Sequence, residues 1–343
     1  MNNKIVVVGM SGGVDSTAAA YILKKDGYSV IGVTLKLIDT DSTTKAINDA
    51  REVCNKLNIN HYVFDLRKEF KDIIIDDFIS NYKKGLTPNP CILCNKKIKF
   101  GLFYKLAKER FNADYIATGH YAKIKDNKLY LIKDNPKDQS YFLYSIDKNI
   151  LPHILFPLSN YKNKIEVRNL VKDILPTIST KKDSEDICFI ENNDHNKFLN
   201  NYIKTIPGNI TLKTGQILGK HNGLYNYTIG QRKGLNISYK EPLYVINIDT
   251  STNTLVVGPE KDLYSNILIA TNINLLTDKL VEDCFAKIRS RSKLTPVKVE
   301  LLDNKLKVIF KEPVRAITKG QSVVLYDSND VCLGGGIITE AIN

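Results

Sequence analysis

Residues 9–16 read Gly-Met-Ser-Gly-Gly-Val-Asp-Ser and directly follow the apolar run Ile-Val-Val-Val at 5–8. The pattern predicts a strand that opens into a glycine-rich turn, with a helix behind it. Because the turn has little side-chain bulk, its backbone N–H groups can close around an anion, and the positive end of the helix dipole favours that charge. Ser11 and Ser16 add hydroxyl donors, and Asp15 can orient a metal ion or cap the helix. The stretch is not a Walker A loop, because no Gly-Lys-Ser/Thr follows it.

The loop resembles the SGGxDS loop of ATP pyrophosphatases, enzymes that split ATP into AMP and pyrophosphate to activate an oxygen atom. The resemblance implies adenylation of a carbonyl oxygen, followed by displacement of AMP. An ordinary glycine-serine turn is the alternative interpretation. The position of the whole motif between a strand and a helix, close to the N-terminus, favours the nucleotide loop.

The composition is that of an ordinary globular protein, since 43% of the 343 residues are hydrophobic and 25% are charged. This length indicates two or three domains. No apolar stretch approaches the ~20 residues that span a membrane, and the N-terminus lacks a signal-peptide pattern. We therefore expect a cytoplasmic protein whose six cysteines are reduced, catalytic or metal-bound. The net charge of +12 fits either a lysine-rich proteome or a polyanionic partner.

Strands and helices alternate through the first third of the chain. The apolar periodicity predicts strands at 5–8, 28–35, 61–66 and 114–118, and helices at 16–25, 42–57, 68–82 and 99–111. This order predicts an α/β fold with an open, doubly wound parallel sheet. Because ligands of such sheets bind at the carboxyl ends of the strands, we expect the glycine-rich loop, Leu35 and Gly119-His120 to lie together there.

The later part of the chain changes to short strands separated by Gly, Asn and Asp residues. The pattern predicts hairpins at 121–133, 243–257 and 297–310, and helices at 139–146 and 163–174. We divide the chain into an α/β domain of the ATP pyrophosphatase type at 1–203, a small β-rich central domain at 204–262 and a C-terminal β-barrel at 263–343.

A second motif, Thr-Pro-Asn-Pro-Cys-Ile-Leu-Cys-Asn at 87–95, carries two cysteines on a proline-rich segment. The prolines favour a rigid loop and place the start of any helix after Cys94. Lysines follow at 96, 97 and 99, and nearby cations favour thiolate over thiol. Cys188, also preceded by lysines, is the third cysteine of interest. The other cysteines have apolar neighbours and are assigned to the core: Cys54, Cys284 and Cys332.

The residues alone leave three interpretations of these cysteines. A Cys-x-x-Cys pair is half of a zinc site, but no second pair stands at zinc-finger spacing. A thioredoxin-like dithiol lacks its usual surroundings. The third interpretation joins Cys91 and Cys94 with Cys188 in a site for sulfur transfer or for a cluster.

Taken together, the motifs are similar to those of bacterial tRNA-specific 2-thiouridylases over nearly the full length of the chain. Besides the two motifs above, the resemblance is carried by 98–101, 117–122, 137–143, 182–184, 187–190, 228–232, 320–321 and 332–336. It implies ATP-dependent 2-thiolation of the wobble uridine of tRNA, with ATP and Mg²⁺ as cofactors. It also implies a cysteine desulfurase or a sulfur-relay carrier as the sulfur donor.

The resemblance assigns a role to particular residues. Its ATP site comprises Gly9, Met10, Ser11, Gly12, Gly13, Val14, Asp15, Ser16, Leu35 and Gly119. Cys94 becomes the nucleophile and Cys188 the persulfide-bearing cysteine. Contacts to the base and to tRNA fall on Asn89, Pro90, Cys91, His120, Lys137, Asp138, Gln139, Arg289, Ser290 and Gln321. For His120, a histidine satisfied at a strand end is the alternative interpretation.

The chain departs from the family pattern at three places. Many members carry Asp where this chain has Cys91, so a carboxylate is lost and a third sulfur is gained. Many carry Met in place of Leu35, which is a volume-conserving exchange. Glu185-Asp186 replaces a commoner Thr-Gly or Gln-Gly pair, and the added negative charge beside Cys188 is expected to raise the pKa of that thiol.

The three thiols leave two mechanisms open. In the first, adenylation makes the C2 oxygen of uridine a good leaving group, a persulfide on Cys188 supplies sulfur, and Cys94 resolves the remaining link as a Cys94–Cys188 disulfide. In the second, Cys91, Cys94 and Cys188 hold a [4Fe–4S] cluster whose open iron binds the donor sulfide.

A basic region supports a nucleic-acid partner. Between Lys287 and Lys319 the chain has ten Lys or Arg residues and three acids, which is either a tRNA footprint or a solvated face. Tyr141 and Phe142 could stack on a flipped base, or could belong to the core, which we favour for Phe142. Two other functions stay open: an adenylating ligase or amidotransferase that does not act on tRNA, and a non-catalytic RNA-binding protein with a relic nucleotide site.

Overall fold

The apolar run at 5–8 forms the middle strand of a parallel sheet. The computed structural model describes residues 3–181 and 187–342. The elements of the first domain are β1 (Ile5–Gly9), α1 (Val14–Lys25), β2 (Ser29–Lys36), α2 (Asp41–Lys56), β3 (Asn60–Asp65), α3 (Arg67–Phe70), α4 (Asp76–Lys83), α5 (Pro90–Cys94), α6 (Phe103–Phe111), β4 (Tyr115–Ala117), β5 (Lys123–Lys125), β6 (Lys128–Tyr130), β7 (Ile154–Leu155), α7 (Lys164–Lys172), α8 (Pro176–Ser179) and α9 (His195–Asn200). The Lys182-Asp183-Ser184 motif and the Glu185-Asp186 pair lie outside the described residues.

The sheet has the order β3-β2-β1-β4-β7, and each pair of neighbouring strands is parallel. Successive side chains of β1 point to opposite faces of the sheet and so show what covers each face. Val7 packs into one core with Phe103, whereas Val6 and Val8 pack into a second core with Ala18 of α1. A strand that is apolar on both faces is buried between two layers of helices. The predicted doubly wound sheet is therefore confirmed.

Two helical segments of this domain contain π-helical turns. Lys71–Ile75 joins α3 to α4, and Asn95–Leu102 joins α5 to α6. The prediction that no helix begins before the end of the cysteine motif was wrong, because α5 starts at Pro90. Proline is tolerated at the first helical position, where its missing N–H would have no partner within the helix.

The segment at 139–146 corrects a second prediction. It is not an α-helix, and its only helical turn is a 3₁₀ turn at Ser140–Phe142. The Asp138 carboxylate accepts hydrogen bonds from Ile132 N at 2.9 Å and from Ser140 Oγ at 2.7 Å, which fixes the entry to this segment. The hairpin predicted at 121–133 is confirmed as the antiparallel pair β5–β6.

The two β-rich parts follow in chain order. The central part has β8 (Gly208–Leu212), β9 (Ile217–His221), β10 (Tyr244–Asp249) and β11 (Thr254–Gly258), in the order β10-β11-β8-β9. The last part has β12 (Tyr264–Leu275), β13 (Asp283–Lys287), β14 (Thr295–Leu302), β15 (Lys305–Arg315), β16 (Ser322–Tyr326) and β17 (Cys332–Ile342). These last strands close in the order β12-β15-β14-β13-β16-β17. The predicted C-terminal barrel is thus confirmed. The boundaries proposed at 203/204 and 262/263 fall between α9 and β8 and between β11 and β12, and they stay predictions.

The barrel shares a core with the first domain. Val324, Tyr326 and Cys332 are fully buried in the same cluster as the core residues of the sheet domain. Tyr141 OH donates to Ser322 O at 2.8 Å. We call this surface the barrel contact; its polar members are Thr87, Ser140, Tyr141, Tyr144, Asn274, Gln321, Ser322 and Tyr326. Among the described residues, no helix has the length and apolar character needed to cross a membrane.

Candidate active site at the carboxyl edge of the sheet

The glycine-rich loop joins β1 to α1 at the carboxyl edge of the sheet, where the sequence predicts it. Gly12 has φ +67°, and a Cβ built on it would lie 2.4 Å from the carbonyl oxygen of Ala46. No L side chain fits a left-handed position in such close contact with backbone. The loop therefore presses against α2, and Gly12 makes that approach possible.

The first turn of α1 offers its N–H groups to the loop. Gly13 is the N-cap and provides no side-chain acceptor. Ser16 Oγ lies 3.2 Å from Ser11 N, from Ser11 Oγ and from Gly13 O. The first N–H groups of a helix lack partners within the helix and attract anions. The loop thus has the form of an anion cradle with its two serine hydroxyls joined across it.

Gly119 completes the wall of this cradle. A Cβ on Gly119 would lie 2.7 Å from Asp15 Cβ and 2.8 Å from Ser16 N, so the end of β4 packs directly on the loop. Leu35, near the end of β2, is half-buried and pairs with Phe64 of β3. Met10 is buried at 2% exposure. The structure therefore brings together the residues predicted for the ATP site.

Three further side chains reach the loop from elsewhere in the chain. Tyr121 OH donates to Asp15 Oδ1 at 2.9 Å, and Lys164 Nζ lies 2.5 Å from Asp15 Oδ2. Lys181 Nζ donates to Gly12 O at 2.7 Å and pairs with the Asp49 carboxylate. Sequence reasoning missed all three as site residues. Tyr121 and Lys181 carried a signal, because Tyr121 lies in the segment 117–122 that bears the family resemblance and Lys181 begins the lysine pair of the Cys188 segment.

The cysteine motif forms the first turn of a helix rather than a loop. Asn89 is the N-cap and Pro90 the first helical residue. Cys91 is exposed, whereas Cys94, one turn later, is buried at 6% exposure. One thiol of the pair is thus open to solvent while the other lies in the core.

Cys188 lies beside this turn although it is far away in the sequence. Its neighbour Phe189 packs edge-on against Phe70 and Phe78, with ring centroids 5.8 and 5.3 Å apart. Cys188 itself is exposed. Negative charge on Cys94 or on Cys91 raises the pKa of Cys188, so the three thiols are close enough to interact electrostatically.

The pKa values of these thiols correct the expectation that the flanking lysines favour thiolates. Cys91 and Cys188 keep part of their surface exposed, but the protein around each sulfur removes much of its hydration. This desolvation raises the pKa of Cys91, that of the buried Cys94, and that of Cys188 to about 12. The ammonium of Lys99 opposes each of these increases but is outweighed by desolvation. The neutral thiol is therefore the favoured form at each of these positions.

A cluster does not fit the described arrangement of side chains. Among the residues that the structure describes, no three His, Cys, Asp or Glu side chains are grouped so that they could hold a metal ion. Cys91, Cys94 and Cys188 interact, but they do not form such a group. The [4Fe–4S] cluster stays a hypothesis for chemical analysis.

Four predicted tRNA contacts of the first domain are half-buried and engaged in the fold: His120, Lys137, Asp138 and Gln139. His120 accepts or donates one hydrogen bond with Thr118 Oγ1 at 2.7 Å and lies between Phe100 and Phe156. Burial lowers the pKa of His120 well below 6.5, so the ring is neutral. Gln139 Oε1 accepts from Tyr121 N at 2.9 Å. Lys137 and Asp138 belong to the same turn, and burial raises the pKa of Asp138.

The predicted tRNA contacts of the barrel are engaged in the same way. Gln321 Nε2 donates to Thr87 O at 2.8 Å. Arg289 Nη2 donates to Thr318 Oγ1 at 2.6 Å and to Ala316 O at 3.0 Å. Ser290 follows Arg289 in a half-buried turn. These residues hold the cysteine motif and the barrel turns in place.

The burial of Tyr141 and Phe142 corrects the preference for Phe142 as the core residue of the two. Tyr141, at 1% exposure, is the core residue, and Phe142 is only half-buried. Asn95 Nδ2 donates to Phe142 O at 2.9 Å and so ties this segment to the helix of the cysteine motif.

The core assignments of Cys54, Cys284 and Cys332 are confirmed, since all three are buried. Of the basic cluster, seven cations are exposed: Arg291, Lys293, Lys298, Lys305, Lys311, Arg315 and Lys319.

The fold and this site define an α/β enzyme that has an anion loop of the ATP pyrophosphatase type, three thiols that interact with one another, and two β-rich modules. Family models agree over three consecutive parts of the chain. A tRNA methyl transferase HUP domain matches residues 4–192, a tRNA methyl transferase PRC-barrel domain matches 196–259, and an aminomethyltransferase beta-barrel domain matches 265–338.

Full-length relatives sharpen the assignment. The tRNA-specific 2-thiouridylase MnmA of Clostridium beijerinckii is 45% identical over 99% of this chain and 99% of that protein. The protein of the same name from Clostridium botulinum strain Alaska E43 is 46% identical over 100% of this chain and 99% of its own. Among solved structures, the U34-tRNA thiolase NcsA from Methanococcus maripaludis with its [4Fe-4S] cluster is 26% identical, covers 35% of this chain and 38% of its own, and has a TM-score of 0.27. The chain belongs to the family of tRNA-specific 2-thiouridylases, which are ATP-using tRNA sulfurtransferases.

Proposed function

We propose that the chain thiolates C2 of the wobble uridine of tRNA, and that it splits ATP into AMP and pyrophosphate in the loop at 9–16. The C2 oxygen of uridine is a poor leaving group, and its adenylation converts it into AMP. The uncapped first turn of α1 and the serine pair of the loop support a pyrophosphate at this position. Mg²⁺ would neutralise phosphate charge there. Asp15 is its candidate ligand, because a carboxylate keeps acceptor sites beyond its bonds to Tyr121 and Lys164.

The sulfur step uses two of the three thiols. The terminal sulfur of a persulfide on Cys188 attacks C2 and displaces AMP, which leaves a disulfide-type link between Cys188 and the base. Cys94 as thiolate then attacks Cys188 Sγ, so the link breaks, 2-thiouridine is released and a Cys94–Cys188 disulfide forms. An external thiol reductant returns the pair to the dithiol. Each step is a displacement at sulfur or carbon, and the electrons balance.

One arrangement carries this proposal: the residues on either side of Cys188, Ile187 and Phe189, pack into the same core as Cys94 although they lie far from it in the chain. Charge on Cys94 accordingly raises the pKa of Cys188. An exposed Cys188 is accessible to a sulfur donor, whereas the buried Cys94 is protected from other oxidants. A ligase or amidotransferase that uses the same loop has no need of this thiol pair. The pair therefore favours sulfur transfer over the other adenylating reactions.

The substrate contacts belong to the same proposal. We place the flipped base against Asn89, Pro90 and Cys91, because Cys91 is the exposed thiol of the turn that carries Cys94. Phe142 is the candidate stacking partner. The exposed cations of the barrel contact tRNA phosphates. The sulfur donor is a cysteine desulfurase or a relay carrier, and the reaction takes place in the cytoplasm.

The test combines product analysis with cysteine variants. Full-length protein is incubated with ATP, Mg²⁺, an unmodified tRNA, a sulfur donor and a thiol reductant, and 2-thiouridine is measured by mass spectrometry together with AMP and ADP. We expect one AMP for each 2-thiouridine formed. We expect Cys94→Ser and Cys188→Ser to lose thiolation. Cys54→Ala and Cys284→Ala, at buried positions outside the cysteine motif, are expected to keep it in the folded protein.

Two results would overturn the proposal: ADP as the tRNA-dependent product, or full thiolation by Cys188→Ser. Iron and sulfide analysis of protein purified without oxygen tests the cluster in the same preparations. If activity requires iron and all three cysteines, the persulfide step has to be withdrawn.

A further inference from the structure

Two lysines converge on the glycine-rich loop from outside it. Lys164 is the first residue of α7 and reaches Asp15 Oδ2 at 2.5 Å. Lys181 follows α8 and reaches Gly12 O at 2.7 Å while it pairs with Asp49. Their side chains are only 14% and 29% exposed. The loop is thus flanked by two largely enclosed ammonium groups.

The placement of Lys164 is unfavourable for its own helix. Lys164 occupies the first turn of α7, at the positive end of the helix dipole, whereas cations stabilise the opposite end. Asn163 already caps this helix by accepting from Glu166 N. Helix stability therefore does not account for a cation at this position, whereas the ion pair with Asp15 places its charge at the loop.

Both lysines have carboxylate partners at the loop. Two ammonium groups beside a cradle of N–H donors require nearby negative charge in a partly buried place. Asp15 and Asp49 balance that charge here. Phosphate oxygens are stronger and more numerous acceptors, and they bear more charge than one carboxylate.

We propose that Lys164 and Lys181 are ligands for the phosphates of the nucleotide and for the pyrophosphate product, and that they exchange their contacts to Asp15 and Asp49 for phosphate oxygens. This inference rests on the proposed ATP site in the loop at 9–16. It adds the cationic half of that site, which the loop motif lacks because it carries no Walker lysine. The two lysines come from segments more than a hundred residues beyond the loop.

The experiment measures binding of inorganic pyrophosphate with Mg²⁺ to the full-length protein by titration calorimetry. Lys164→Gln and Lys181→Gln are each expected to weaken binding about tenfold or more, since each removes a charge-assisted hydrogen bond. Lys172→Gln, an exposed lysine in the last turn of α7, is the matched control and is expected to bind pyrophosphate as the wild type does.

Asp49→Asn separates a phosphate ligand from a merely structural ion pair. If Lys181 is a phosphate ligand, removing the charge of Asp49 leaves or tightens pyrophosphate binding, because a competing anion is lost. If the pair only holds α2, Asp49→Asn and Lys181→Gln lower the melting temperature alike and neither changes the affinity. If Lys181→Gln is too unstable to measure, Lys181→Arg replaces it. This variant keeps the positive charge and is expected to retain most of the pyrophosphate binding.

The outcomes test the lysine ligands separately from the proposed ATP site on which they depend. Pyrophosphate binding by the wild type with no loss in Lys164→Gln or Lys181→Gln overturns the lysine assignment and leaves the loop intact. Absence of pyrophosphate binding in the wild type overturns both.

Discussion

The glycine-rich loop and the barrel contact differ in what fixes their conformation. In the loop, Ser16 Oγ bonds to Ser11 and Gly13 and so closes the backbone turn from within, although distant side chains also reach Asp15 and Gly12. At the barrel contact, Gln321 donates to Thr87, and Tyr141 donates to Ser322. The residues of the loop are fixed by local backbone geometry, whereas those of the contact are fixed by packing between domains. Residue type is informative in the first case and ambiguous in the second.

This difference explains which predicted roles the structure supports. Glycine at 12 has a single physical reason, since its φ and its approach to Ala46 exclude a Cβ. Glutamine at 321 or aspartate at 138 could equally contact tRNA or hold a turn. In the structure both hold turns, through Thr87 O and through Ser140. A role in tRNA binding would therefore be exerted through the position of the cysteine motif.

Removal of the barrel has the largest expected effect. From the sequence alone, a chain that ends near Asn266 is expected to lose tRNA affinity and to keep ATP binding. The core that the barrel shares with the first domain instead predicts that the truncated chain is destabilised as a whole. Val324, Tyr326 and Cys332 are buried against the first domain. Burial of each such side chain stabilises by about 1.5–3 kcal/mol, so their loss removes a large part of a typical stability of about 5–15 kcal/mol.

Thermal unfolding of the truncated chain, with ATP binding as a second readout, checks this expectation. We expect early melting and loss of nucleotide binding together. A truncated chain that melts with the full-length protein and binds ATP normally would show that the shared core is not needed by the sheet domain.

The second prediction concerns Gly12 and tests the local character of the loop. Gly12→Ala combines a left-handed residue with a contact of 2.4 Å to the Ala46 carbonyl. Gly215→Ala is the matched control, because Gly215 also has positive φ but has no heavy atom within 4 Å of the built Cβ. The control is expected to cost about 1–2 kcal/mol from φ alone, and Gly12→Ala roughly 1–3 kcal/mol more from overpacking.

Urea unfolding of both variants measures the difference, and nucleotide binding reports on the loop itself. Equal destabilisation would mean that α2 yields to the new side chain, and that the loop is held less tightly than its geometry indicates.

The same contrast shows what the sequence could and could not predict. Strand β1, helix α1 and the loop between them follow from an apolar run and a glycine motif, so their positions are predicted to within a few residues. Helix α5 was missed because Pro90 reads as a helix breaker, although proline is well suited to the first helical position. The core role of Tyr141 was missed because its partner Ser322 is in another domain. Such long-range partners leave no periodic signal.

Lys99 gives a third prediction, of intermediate size. The sequence offers lysines at 96, 97 and 99 without a choice among them. The structure singles out Lys99, because its charge lowers the pKa of the three thiols at Cys91, Cys94 and Cys188. Lys99→Gln removes that charge, so those pKa values rise further. The thiolate fraction at neutral pH falls, and the rising limb of the pH–rate profile for thiolation moves to higher pH.

Lys97→Gln serves as the control, because Lys97 is exposed. Rates of 2-thiouridine formation from neutral to alkaline pH give the profile. We expect Lys99→Gln to be slower than the wild type at neutral pH, because a smaller fraction of the thiols is ionised. Lys99→Arg keeps the charge and is expected to keep most of the rate, and equal losses in the two variants would instead point to a structural defect.

The smallest expected effect separates positioning from phosphate contact within the barrel. Lys311 is exposed on β15, whereas the Gln321 side chain holds Thr87 O. Lys311→Ala is expected to weaken tRNA binding a few-fold and to reduce the slope of log affinity against log salt by about 0.9, if the lysine neutralises one duplex phosphate. Gln321→Ala is expected to leave the slope of log affinity against log salt unchanged, because an amide releases no counterion. It should instead lower the turnover of bound tRNA, because the segment that leads into Pro90 and the cysteine turn loses its hydrogen bond to the barrel. Filter binding at several salt concentrations and single-turnover thiolation provide the two readouts. Weaker tRNA binding by Gln321→Ala with unchanged turnover of the bound tRNA would return Gln321 to direct contact with the nucleic acid. No change in either readout would leave it without a role, and both results would remove the distinction between the two regions at this residue.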